Sequence, residues 1–169
     1  VSLLLGAVQA YEFWPVAWRK VQVRMGVNDK QVGGNHYNQV KVQHWDLVIE
    51  NDLPYLPAQI SKYVTRWKKK HGSQDIEKSI HYLEKLQTSL ENGVLKYPTQ
   101  ERVPIKLEEF AEENKIGDIE KTIFYILLTY TRAEDLTRVG VLLQHLLAAA
   151  KEVENHRLEH PDAESKGAL

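Results

Sequence analysis

Cysteine is absent from all 169 residues, and methionine occurs once, at Met25. The lack of thiols excludes disulfides, thiolate catalysis and cysteine-ligated zinc, and it suits a reducing cytoplasm. One-sided charge is also missing. Lys plus Arg number 22 against 23 for Asp plus Glu, a formal net charge of −1. General coating of nucleic acid needs a clearly basic domain, so that class of partner is not expected. No apolar run is long enough to span a membrane. Residues 1–10 are apolar, but Glu12 interrupts the stretch and no positive n-region precedes it, so neither a secretion signal nor an anchor is expected. A cytoplasmic protein follows as the expectation. No G-x-x-x-x-G-K-[ST] occurs, which excludes a P-loop, and the nine scattered glycines make no Rossmann fingerprint.

Against this even background one segment is uneven. Between Asp52 and Asp75 lie Lys62, Arg66, Lys68, Lys69 and Lys70, with no acidic residue among them. On a helix Lys62, Arg66 and Lys70 share one face, while Ile60, Tyr63, Val64 and Trp67 take the i, i+3, i+4, i+7 positions of another. Most charge runs are solvated faces that serve solubility. Here no acid stands at i+4 to neutralise the bases, which favours a bound anion, phosphate first. Arg66 would supply the fork, Lys62 and Lys70 mobile point charges, and Lys68 and Lys69 would face water.

The whole chain reads as all-α, with a helical hairpin core, an added C-terminal helical pair and a short extended segment near residues 36–43. Trp45, Val48 and Ile49 suggest a short helix ending near Asn51. Pro57 suits the first turn of the basic helix, which should run to His71 with Gly72 as its left-handed cap. Ser73 is a candidate N-cap for the next helix, whose stripe is Ile76, Ile80, Leu83 and Leu86; the short turn predicts antiparallel packing of the two. Residues 94–105, bracketed by prolines, read as a linker. An acidic helix over Leu107 to Asn114, an apolar one from Asp118 to Tyr130, and a last one opened by a Thr131–Glu134 capping box complete residues 106–157. The helix from Ile123 to Tyr130 is apolar almost all round, which predicts a homo-oligomer through this pair. Residues 158–169 form a charged tail. Residues 1–24 admit two readings: sequence upstream of a start at Met25, or an amphipathic extension docked through Phe13, Trp14 and Trp18. The runs from Asp75 and Asp118 echo one another (Asp-Ile-Glu-Lys), an echo that common helix-start grammar explains without duplication.

Gly33, Gly34 and Asn35 break the chain before His36 and Tyr37, a turn whose backbone could approach a ligand. Trp67 is assigned to the core and Trp45 left open between core and ligand stacking. No metal site is expected. His156 and His160 share helical spacing in a charged tail, and Glu108, Glu109, Glu112 and Glu113 resemble the Mg²⁺ carboxylates of all-α nucleotide pyrophosphatases. The second acidic pair of that class fails here: Glu120 is followed at i+3 by Ile123 and Glu134 by Thr137.

Gly34-Asn35-His36-Tyr37, Trp45-Asp46, Lys62-Tyr63-Val64-Thr65-Arg66, Lys70-His71-Gly72, Asp75-Ile76-Glu77-Lys78 and Tyr82-Leu83 together resemble a small phage family described as nucleotide kinase-like. The resemblance spans roughly residues 32–90 within a helical domain over 25–93. It implies phosphorylation of deoxynucleoside monophosphates without a P-loop. It also implies a site lined by His36, Tyr37, Lys62, Tyr63 and Arg66; the glycine turn, the aromatics and the basic face add Gly34, Asn35, Trp45 and Lys70 as candidate ligand contacts. A kinase would use ATP with Mg²⁺, for which Asp46 and Asp75 are the candidate carboxylates. Lys62 and Arg66 would neutralise charge on the transferring phosphoryl group and His36 or Tyr37 would orient the acceptor. The alternatives are a protein that holds a nucleotide or nucleotide signal without turning it over, and a structural or interaction protein.

Overall fold

The computed structural model describes residues 41–159. In chain order α1 is His44–Glu50, α2 Tyr55–Arg66, α3 Ser73–Glu91, α4 Leu107–Asn114, α5 Asp118–Thr129 and α6 Ala133–Glu159, with one 3₁₀ turn, Trp67–Lys69, after α2. No strand occurs among the described residues, so the fold is all-α as expected. Of the extended segment near 36–43, residues 36–40 lie outside the description. Gln43 has extended backbone as the N-cap of α1, and its N–H is held by Asp46 Oδ2 at 2.8 Å.

α2 and α3 form the expected hairpin. Arg66 meets Asp75, Ser79 Oγ donates to Ile60 O, and Tyr55 meets Tyr82, so contacts fall where residue numbers add to about 140. That constant sum is the mark of antiparallel helices. Ile60, Val64, Ile76, Leu83 and Leu86 are buried between them and the rest of the body. The turn differs from expectation. α2 stops at Arg66, the chain tightens into the 3₁₀ turn, and Gly72 N–H donates back to Trp67 O at 2.9 Å. This tightening lets the Trp67 indole N–H (3.1 Å) and the Lys68 ammonium (2.6 Å) both reach Glu120 on α5. Lys68 is therefore paired with a buried carboxylate, not simply solvated. Trp67 is core, as assigned.

Gly72 does have positive φ (+52°), with ψ −126°, a conformation open mainly to glycine. Ser73 is not the cap of α3 but is itself capped. Glu154 on α6 accepts from Ser73 N–H through Oε1 and from Ser73 Oγ through Oε2, both at 2.7 Å. The donors at this helix start hold the Glu154 carboxyl below its ordinary range, backbone hydrogen bond first. A methyl group at residue 72 would collide with Glu154 Oε1. Gly72→Ala should therefore lose roughly 1–3 kcal/mol in urea denaturation through strain at this φ. Combined with Glu154→Ala, the loss should be smaller than the sum of the single losses, because truncating Glu154 relieves the clash with the new methyl group while the φ strain remains.

α5 is the most apolar of the helices. Ile123, Phe124, Ile126, Leu127, Leu128 and Tyr130 are all buried, with Phe124 edge-on to Phe110 of α4 at 5.5 Å. Most of its apolar girth is buried within the chain, with Tyr125 left 49% exposed, so the girth is largely accounted for without an intersubunit surface. The C-terminal helices are not an appended pair: residues from α1 through α6 share one core. α6 lies antiparallel along α3, with Glu154 at Ser73 and Lys151 paired to Glu77 at 3.0 Å. Residues 94–105 are tied down as well. Buried Asn51 donates to Ile105 O (3.0 Å) and accepts from Ile105 N–H (2.7 Å), Arg102 donates to Asn51 O and Asp52 O, and Tyr97 packs edge-on to Tyr130. At the head of α6 the partner of Thr131 N–H is Asp135 (3.2 Å) in place of Glu134. The echo of α3 and α5 does not extend to packing. Asp75 and Ile76 are buried where Asp118 and Ile119 are exposed, and Glu120 is buried where Glu77 is exposed.

Candidate functional site

The basic helix does not present a bare stripe. At its centre is Tyr63, half-buried on α2, and three cations gather on its ring: Arg66 with Cζ 4.6 Å from the centroid, Lys78 of α3 at 5.5 Å, and Lys62 at 5.9 Å. The ring's quadrupole attracts each of them. Tyr82 of α3 stacks with Tyr63 at 5.8 Å and 19°, and on its far side Tyr55 stands edge-on to Tyr82 at 6.4 Å. Three tyrosines thus step across the hairpin from the head of α2 to the cationic cluster.

Arg66 is where the structure departs most from expectation. Its Nε and Nη2 donate to Asp75 Oδ2 and Oδ1, both at 3.0 Å, a bidentate fork on a fully buried carboxylate. The fork assigned to phosphate is thus committed inside the protein. Burial alone would raise the Asp75 pKa; the Arg66 bond and charge, with His71 and Lys78 each 3.6 Å from Oδ1, outweigh it and hold the carboxyl below its ordinary value. Asp75 consequently does not fit a Mg²⁺ ligand, since both oxygens are occupied by cations. Asp46, the other candidate, is engaged at the head of α1 through Oδ2. Among the described residues no three His, Asp or Glu side chains form a metal-binding group.

Lys70 also departs from its assignment. Because α2 ends at Arg66, Lys70 sits beyond the 3₁₀ turn, exposed and out of register with Lys62. Lys62 is exposed on the Tyr63 side and makes no ion pair among the described residues. Trp45 is 43% exposed on α1, which buries Leu47 and packs Val48 partly against the core, while Ile49 is exposed with Trp45. Gly34, Asn35, His36 and Tyr37 lie outside the described residues.

Sequence reasoning passed over Tyr55, Lys78 and Tyr82 as site residues, although the signal existed. A hairpin turning near Gly72 pairs positions whose numbers add to about 144, which places Tyr82 opposite residues 62 and 63, where it stacks on Tyr63. Behind the site, His44 of α1 has Nε2 2.8 Å from Ser61 Oγ, and Ser61 Oγ also bonds Ala58 O at 3.0 Å. Burial first, and the Lys62 charge second, push the His44 pKa down to about 4, so the imidazole is neutral at pH 7.

No protein-family model, curated protein or solved structure matches this chain. No helix among the described residues is long and apolar enough to cross a membrane.

Proposed function

We propose that this chain binds a nucleotide through the cation–tyrosine cluster of the α2–α3 hairpin, holding it rather than transferring its phosphoryl group. One observation carries the reading. Lys62, Arg66 and Lys78 converge on the Tyr63 ring, and Asp75, the carboxylate facing them, is already matched by Arg66. Lys62, with no ion pair among the described residues, and Lys78, which shares Asp75 with Arg66, then leave positive charge in excess of that one carboxylate beside aromatic surface, the pairing of chemistries that phosphate and a base require. Arg66 acts indirectly: its fork fixes Asp75, and its guanidinium backs the Tyr63 ring. The resemblance noted from the sequence points to the same ligand class and to phosphorylation of deoxynucleoside monophosphates. Binding is preferred because the Arg and one of the two carboxylates that transfer would use are committed to each other.

Calorimetry with deoxynucleoside monophosphates, followed by incubation with ATP and Mg²⁺, tests the reading. Saturable binding with unchanged ligand recovered supports it, and formation of diphosphates replaces it with a kinase. Lys62→Gln with Lys78→Gln should weaken binding roughly 10-fold or more, with a shallower salt dependence; loss of the Lys78 ammonium 3.6 Å from Asp75 should also lower the melting temperature, an effect that Lys62→Gln alone should not show. Unaltered affinity in this double variant would remove the cluster from the site.

A further inference from the structure

We infer that Tyr55 is the base-stacking residue of this nucleotide site, so that the ligand lies along the hairpin with its base at Tyr55 and its phosphate at Lys62 and Lys78. The inference rests on the nucleotide reading above and adds the ligand's orientation and the breadth of its base selection. Tyr55 is a large aromatic with 66% of its surface exposed, at the first position of α2, immediately after Pro54. Exposed aromatics are common and by themselves mean little. This one is held in place. Its ring meets Tyr82 edge-on at 6.4 Å, and the neighbouring Tyr82 hydroxyl raises the Tyr55 pKa. A fixed ring presenting most of its surface to solvent has already lost the rotamer freedom that stacking would otherwise cost.

The order of groups matches the order of parts in a nucleotide. From Tyr55 the path runs over Tyr82 (6.4 Å) to Tyr63 (5.8 Å), where Lys62 and Lys78 stand. The apolar, ring-rich end is thus separated from the charged end by one aromatic step, as a base is separated from its phosphate by a sugar. The reverse orientation would set phosphate against Tyr55, where of these cations only the Lys62 charge acts, and not at the Tyr63 ring where Lys62 and Lys78 gather. A ring face reads π-surface and not hydrogen-bonding edges, so purine and pyrimidine nucleotides should both bind, the purines more tightly.

The test uses the full-length chain, titrated with dGMP, dTMP and inorganic pyrophosphate, in wild-type, Tyr55→Ala and Tyr55→Trp forms. Stacking contributes enough that Tyr55→Ala should weaken both nucleotides roughly 5- to 100-fold while leaving pyrophosphate unchanged. Tyr55→Trp should keep or improve nucleotide affinity. Wild-type binding of nucleotides that Tyr55→Ala leaves intact would overturn this inference alone. Equal loss for pyrophosphate would also overturn it, since the substitution would then act through the fold or the charges. Failure of the wild type to bind any of the three probes would overturn the nucleotide reading and this inference with it.

Discussion

Arg66→Met should be the most damaging single change on the hairpin, lowering unfolding free energy by about 3 kcal/mol or more at pH 7. Asp75 is fully buried and receives two 3.0 Å bonds from Arg66. Removing the guanidinium leaves a buried carboxylate whose remaining cations, His71 and Lys78, stand at 3.6 Å. They soften the loss without replacing the fork. Asp75→Asn in the same background should restore part of the stability, because it discharges the orphaned group. The pH dependence separates this from simple loss of packing. In the wild type the folded pKa of Asp75 lies below its unfolded value, so its contribution is present above about pH 4 and lost as pH falls. In Arg66→Met the folded pKa rises above the unfolded one, and the sign reverses. Stability attributable to Asp75 is then present at low pH and lost as pH rises through the new folded value. The difference between the two proteins in urea melts at pH 4 and pH 7 reads this, since the His44 titration is common to both. Arg66→Met with unchanged stability and abolished nucleotide binding would instead return Arg66 to the ligand.

Acidification from pH 6.5 towards 4 should destabilise the wild type by about 3 kcal/mol through His44 alone. The folded imidazole has its pKa lowered from 6.5 to about 4, while the unfolded chain keeps the ordinary value. Between those limits the unfolded state binds the extra proton, so stability falls as pH falls, by about 1.4 kcal/mol per pH unit. Below pH 4 both states are protonated and the loss stops growing. Asp75 and Glu154, also depressed, contribute losses only near and below the ordinary carboxylate range, so the window above pH 5 belongs to histidine. His44→Gln should flatten the stability profile between pH 5 and 6.5 in chemical denaturation. An equally steep slope in that variant would assign the titration elsewhere. Lys62 adds to the depression, so anion binding at Lys62 should raise the His44 pKa slightly and couple the site weakly to pH.

What the linear chain determined by itself is local. The α2–α3 hairpin, the positive-φ glycine at its turn, the acidic helix Leu107–Asn114 and the start of α5 after Gly117 were legible because propensity, capping and 3.6-residue periodicity act within a few positions. Trp67 was rightly given to the core from its place on the apolar stripe.

Tertiary structure decided what each charge is for. Asp75 lies nine residues after Arg66, Glu120 stands 53 beyond Trp67 and Glu154 81 beyond Ser73, and no periodicity rule links such pairs. α5 read as an exposed apolar surface because a single helix cannot reveal how many neighbours will surround it. The gathering of Tyr55, Tyr82, Tyr63 and Lys78 depends on which faces of two helices meet.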